Sequence, residues 1–131
     1  MTRCKSGTTR DSERAWAGGF FDGEGSTVCC INNGNIFSRI QMTLGQKDYR
    51  RSISPPLIKF QKVVNVGKIY KKTKTGKEIN MHQFYTAKFE DVIKCASLLW
   101  KYLSIPKKHQ FINCANKLKH YTGKEINYEK F

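Results

Sequence analysis

Acidic residues are scarce in this chain of 131 residues: ten Asp+Glu stand against 24 Lys+Arg, a formal net charge of +14. So large a deficit of negative charge says nothing about fold, but it calls for a polyanionic partner such as nucleic acid or an anionic membrane surface. Long apolar runs are missing too. No stretch approaches the ~20 apolar residues that span a bilayer, and the opening Met-Thr-Arg-Cys-Lys-Ser-Gly leads into no signal-peptide core. The expectation is an intracellular protein without a membrane partner. Cys4, Cys29, Cys30, Cys95 and Cys114 form no CxxC pair and no zinc-ligand spacing with His82, His109 and His120, so they read as free thiols. What is present is 39% hydrophobic residues, enough to offset chain entropy, in a length that suits one ordinary domain.

Hydrophobic period and turn chemistry divide that domain. Residues 1–10 read as a polar arm, 11–119 as the folded unit and 120–131 as a polar tail. Asp11 is placed to cap a helix through Trp16, Phe20 and Phe21, which Gly23 and Gly25 would stop. Residues 26–31 and 36–44 flank turn chemistry around Gly34 and read as a hairpin. A helix is expected from Asp48 to Val64, bent or restarted at Pro55 and Pro56. A second, very basic hairpin covers 68–74 and 78–87. Apolar residues at 89, 92, 93, 96, 99, 100 and 103 keep a 3.6-residue period, and Pro106 suits the first turn of a last helix carrying Phe111, Ile112, Ala115 and Leu118.

The order α-β-β-α-β-β-α-α implies an α+β fold, with one four-stranded antiparallel sheet covered on one face by helices. Ile40, Met42 and Leu44 alternate with Arg39, Gln41 and Thr43, so the first set faces the core and the second faces out. Lys68, Tyr70 and Lys72 do the same on the second hairpin. Arg39, Gln41, Thr43, Lys68, Tyr70 and Lys72 together make a surface suited to the DNA major groove, where Arg and Gln read base edges and Lys neutralises phosphate. In residues 79–86 two sets compete for that surface: Met81, Gln83 and Tyr85, or Asn80, His82 and Phe84.

Two of the ten acids sit where a helix resists them. Ala17-Gly18-Gly19-Phe20-Phe21-Asp22-Gly23-Glu24-Gly25 puts Asp22 and Glu24 at a helix C-terminus, where the dipole disfavours negative charge by about 0.3–1 kcal/mol at exposed sites. Two compensations are open: a divalent cation bound by carboxylate and carbonyl oxygens, or turn amides and nearby lysines.

These nine residues resemble the LAGLIDADG motif of homing endonucleases, aligned on its closing Gly25. The order of elements is similar to that family's αββαββα unit over residues 11–119. The resemblance implies a curved four-stranded sheet and a homodimer in which two motif helices pack through Gly18 and Gly19. It implies that Glu24 binds the catalytic Mg²⁺ or Mn²⁺ with help from the Gly23 carbonyl, and that Asp22 is structural. Gln46-Lys47-Asp48-Tyr49-Arg50-Arg51 resembles the segment that brings a Gln and an Arg near the scissile phosphate, here Gln46 and Arg50. Lys107, with Lys108 as its competitor, resembles the basic residue entering from the last helix.

The implied activity is metal-dependent, site-specific hydrolysis of both strands of duplex DNA at a long pseudo-palindromic target, with no small-molecule cofactor. Glu24, Gln46, Arg50 and Lys107 would form the catalytic set. The alternative is a relative that binds nucleic acid without cutting it, as intron maturases and DNA-binding regulators of the family do. The motif begins Ala17-Gly18-Gly19 where the family has Leu, a departure that bears on helix packing and leaves Glu24 untouched.

Overall fold

A computed structural model of the chain describes residues 6–31, 34 and 37–131. The main elements are α1 (Ser6–Glu24), β1 (Gly25–Ile31), β2 (Phe37–Lys47), α2 (Pro55–Val64), β3 (Lys68–Lys74), β4 (Lys77–Thr86), α3 (Phe89–Leu99) and α4 (Ile105–Thr122). A 3-10 turn, Trp100–Tyr102, joins α3 to α4. The strands make one antiparallel sheet in the order β1-β2-β4-β3. Among the described residues no helix is long and apolar enough to cross a membrane.

Period-two geometry decides which side of the sheet the helices take. Ile40, Met42, Leu44 and Phe84 are fully buried and join Ala17 and Phe21 of α1, Leu57 and Phe60 of α2, Val92 and Leu99 of α3, and Phe111 and Leu118 of α4 in one core. Phe60 is its hinge: its ring meets Phe84 edge-on at 5.0 Å and stacks with Phe21 at 6.2 Å. Burying a phenylalanine fully contributes about 1.5–3 kcal/mol, so this contact chain fastens the motif helix to β4 through α2. Among the described residues no helix covers the opposite face of the sheet.

Several boundaries differ from the sequence reading, each for a local reason. The first helix begins at Ser6, so Asp11 lies inside it and caps nothing. No proline stands upstream to stop propagation. Residues 1–5 of the expected arm, and most of the first turn, lie outside the described residues. Strand β2 runs on to Lys47 because Gly45, Gln46 and Lys47 still pair with Gln83, His82 and Met81. The helix expected from Asp48 starts only at Pro55: both prolines occupy its first turn, where their missing N–H groups cost nothing. The second hairpin turns at Thr75 and Gly76, both at positive φ, as a tight two-residue loop requires. After α4, Ile126 is 6% exposed and Phe131 packs edge-on against Trp100 at 5.4 Å, so residues read as a polar tail return to the core.

Candidate active site and nucleic-acid interface

The end of α1 is shaped by an absent side chain. A Cβ on Gly25 would lie 2.3 Å from Phe21 Cδ1, so only glycine lets the chain turn from helix into β1 beneath that buried ring. The tight turn leaves Asp22, Glu24 and the Gly25 carbonyl at one corner of the molecule, and three other elements reach it.

From β2, Gln46 donates its Nε2 to Glu24 Oε1 at 3.2 Å. Gln46 has the same parity as Met42 and Leu44, so it stands on the helix side of the sheet just past the core. From α4, Lys107 donates its Nζ to the Gly25 carbonyl oxygen. Lys108, its competitor, lies over the Trp100 ring at 5.7 Å. Between α3 and α4, the Ser104 N–H donates to Asp22 Oδ1 at 2.7 Å.

Asp22 is therefore compensated from within the chain. Ser104 is the N-cap of α4, so the negative end of α1 meets the positive end of another helix. Hydrogen bonding by the Ser104 side chain and backbone holds the Asp22 carboxyl below its ordinary value, burial works against this, and the Lys107 charge assists. Glu24 is exposed, and its recorded partner is an uncharged amide. Hard oxygen donors of this kind, a carboxylate with backbone carbonyls beside it, suit Mg²⁺ or Mn²⁺. Among the described residues no three His, Cys, Asp or Glu side chains gather.

Arg50 belongs to an unexpected structure. Tyr49 and Ser52 exchange backbone hydrogen bonds of 2.9 Å in both directions, which makes residues 49–52 a miniature hairpin with Arg50 (φ 50°) and Arg51 (φ 65°) at its tip. Left-handed backbone outside glycine costs about 1 kcal/mol or more per residue, so this turn needs support from its surroundings. The guanidinium of Arg50 lies 5.2 Å from the centroid of the Tyr49 ring.

Sequence reasoning missed the group next to this turn. Asp48, read as a helix cap, has a fully buried carboxylate that accepts from His82 Nδ1 and from Lys71 Nζ, each at 2.6 Å. Its own N–H donates to Asn80 O at 3.0 Å. Hydrogen bonds from His82 and then Lys71 hold the Asp48 carboxyl below its ordinary value against the opposing effect of burial. The available signal was the rarity of acids; cross-strand register, which alone brings residues 48, 71 and 82 together, cannot be read from one sequence.

The open face of the sheet collects the expected surface residues by register. Thr43 pairs with Tyr85 and Tyr85 with Lys68; Gly45 pairs with Gln83 and Gln83 with Tyr70; Gln41 and Arg39 pair with Val28 and Cys30. Met81, Gln83 and Tyr85 thus share this face, while His82 and Phe84 turn to the helices. Lys72 sits at a bulge between Lys71 and Thr73, where strict alternation no longer fixes its face. Tyr70 donates its hydroxyl to Gln83 Oε1 at 2.9 Å and packs edge-on to Tyr85 at 5.1 Å, so part of the surface is preset before any ligand arrives.

Of the two glycines expected to pack the motif helices, Gly18 is buried against its own chain: a Cβ there would lie 2.4 Å from Tyr102 Cβ. Gly19 is exposed, with nothing within 4 Å of a Cβ.

Comparison with solved structures finds the same fold in several homing endonucleases. The homing endonuclease I-CvuI, in complex with its target, superposes with a TM-score of 0.65 at 17% identity, over 86% of this chain and 69% of that one. I-GzeII, a LAGLIDADG homing endonuclease in complex with its DNA target, gives 0.64 at 21% identity, over 88% of this chain and 40% of that one. This is the LAGLIDADG fold. The archaeal intron-encoded I-Vdi141I, complexed with DNA, also shares it, with a TM-score of 0.61 at 20% identity over 85% of this chain and 78% of that one. No protein-family model and no curated protein sequence matches the chain. In the LAGLIDADG frame, the corner formed by Glu24, Gln46 and Lys107 lies at the end of the motif helix, and the open sheet face carries Arg39, Gln41, Thr43, Lys68 and Tyr70.

Proposed function

We propose that the chain is a single-motif homing endonuclease: a homodimer that cuts both strands of duplex DNA at a pseudo-palindromic site. The observation that carries this reading is the meeting of Gln46 and Glu24 side chains beside the Lys107–Gly25 contact. An exposed acid at the margin of a basic sheet has no use in simple phosphate binding, which it would weaken. Each chain supplies one such corner, and cutting two strands needs two, so a two-fold dimer through the motif helix supplies both and sets the symmetry of the target.

Glu24 and the Gly23 carbonyl would hold Mg²⁺ or Mn²⁺, which when bound contributes Lewis-acid stabilisation of charge developing on the phosphodiester. The remaining work falls to the chain. Gln46 orients the attacking water, and Lys107 and Arg50 neutralise the phosphoryl oxygens as the transition state forms. The sheet face binds the major groove, with Arg39 and Gln41 at base edges, Thr43 and Tyr70 beside them, and Lys68 and Lys72 at phosphates.

The test is Glu24→Gln, which keeps the size and hydrogen-bonding reach of the side chain and removes its charge. Duplexes recovered from a randomised library should bind wild type and variant alike in Ca²⁺, and only wild type should cut them in Mg²⁺. Cleavage by the variant would remove Glu24 from the mechanism. Binding without products from the wild type would make the protein a non-cleaving relative.

A further inference from the structure

The Asp48 cluster lies outside the catalytic set, yet it is the most tightly bonded polar group near it. We propose that Asp48 is a positioning residue: its buried carboxylate fixes the strand end that presents Gln46 to Glu24 and the strained turn that carries Arg50 and Arg51.

Three observations converge on this role. Asp48 lies two residues beyond Gln46 with the same parity, and His82, which grips Asp48 at 2.6 Å, is the cross-strand partner of Gln46. The carboxylate also takes Lys71 from β3 at 2.6 Å, so one side chain ties the end of β2 to the interiors of β3 and β4. After Tyr49, the chain enters two consecutive left-handed arginines, a turn with no glycine to relax it. A buried carboxylate held by two donors has little freedom, and the backbone that bears it inherits that rigidity.

The cluster also links the two working surfaces. Lys71 and His82 face the helices, while their neighbours Tyr70 and Gln83 face outward in the same register. The hairpin proposed to meet DNA is thereby bonded to Asp48, two residues before the proposed catalytic arginine.

The inference rests on the nuclease reading for its catalytic consequence, and the experiment separates the two. Asp48→Ala and Asp48→Asn are compared with wild type in three measurements: duplex affinity in Ca²⁺, single-turnover cleavage in Mg²⁺, and amide hydrogen exchange at Tyr49 and Ser52. The expected result for Asp48→Ala is a rate lower by about 10²-fold, as a misplacement of about 1 Å produces, with affinity within roughly threefold. Exchange at Tyr49 and Ser52 should accelerate while β1 and α4 amides stay as in wild type. Asp48→Asn, which keeps one acceptor oxygen, should fall between, and it carries the test if the alanine variant does not fold. Unchanged exchange at Tyr49 and Ser52, or an affinity loss equal to the rate loss, would overturn the proposal. A wild-type protein that cuts no duplex defeats the nuclease reading alone, since the exchange measurement still reports what Asp48 holds.

Discussion

Adjacent glycines on one helix separate intrachain packing from dimer packing, and substituting each by alanine tests both. In a helix interior Gly→Ala is worth about 0.5–1 kcal/mol of added stability when the new methyl meets nothing. Gly19 satisfies that condition within one chain, because nothing lies within 4 Å of a Cβ there. Gly18 does not: its Cβ would stand 2.4 Å from Tyr102 Cβ, an atom fixed to the backbone of the 3-10 turn rather than the end of a mobile side chain. Overpacking of that kind costs about 1–3 kcal/mol, more than the helix gains. Gly18→Ala should therefore lower the unfolding midpoint at every protein concentration.

The effect of Gly19→Ala depends on a second copy. If two α1 helices pack through this face, two-fold symmetry places two new methyls in one interface. At about 1.4 kcal/mol each, from the lower half of the overpacking range, they weaken the dimer on the order of 10²-fold. The same change stabilises the separated chain, so dilution should reverse its sign: less stable than wild type when concentrated, more stable when dilute. Sedimentation velocity gives the association constant and urea unfolding at two concentrations gives the stabilities. A Gly19→Ala protein that is more stable at both concentrations, with unchanged association, would refute packing through Gly19.

Three further outcomes are expected. Lys107→Ala should slow cleavage by about 10²–10³-fold, the usual effect of losing one preorganised donor, with a smaller change in duplex affinity, measured by single-turnover kinetics and anisotropy. Asp22 and Asp48 both have folded pKa values below the ordinary 3.8, so the stability they contribute is complete above that value and is lost as pH falls through the depressed folded values. Urea midpoints should thus drop below about pH 4, and the Asp48→Asn variant should drop less. Burial pushes the Cys95 and Cys114 thiols up to about 12. At pH 8 a thiolate fraction on the order of 10⁻⁴ leaves both unalkylated in the folded protein and reactive in urea, as mass spectrometry of labelled peptides will show.

The elements were legible because their signals are local. Alternation at residues 39–44 fixed both faces of β2, and the 3.6-residue period at 92, 96 and 99 marked the buried side of α3. A helix start at Pro55 and Pro56 was one of the two expected outcomes, and the stretch from Asp48 was misread because a proline pair marks a start as readily as a bend, depending on what precedes it. Here a hairpin at 49–52 precedes it, built on two left-handed arginines that no propensity favours. Lys72 escaped for a similar reason, since a bulge is a property of the paired strands. The contacts Glu24–Gln46 and Lys107–Gly25 span 22 and 82 positions, and only the resemblance to a family, not spacing, put those residues in one group.

From sequence alone Asp22 and Glu24 pose the same electrostatic problem, and the fold answers it differently for each. Asp22 is matched by the N-terminus of α4 and by Lys107, whose own unfavourable place in a first helical turn is relieved by Asp22 and the Gly25 carbonyl. Those opposed charges cancel at the junction of two helix ends. Glu24 has an amide partner, and among the described residues it makes no ion pair. Water carries its charge while the corner is open. Docking a phosphodiester there would displace that water and set one anion against another, which in a less polar medium costs several times more than in solution. On the nuclease reading a divalent cation is what removes this conflict, so duplex affinity of the wild type should rise with Ca²⁺ while that of Glu24→Gln stays nearly flat. An equal response in both proteins would mean that the cation acts elsewhere on the complex.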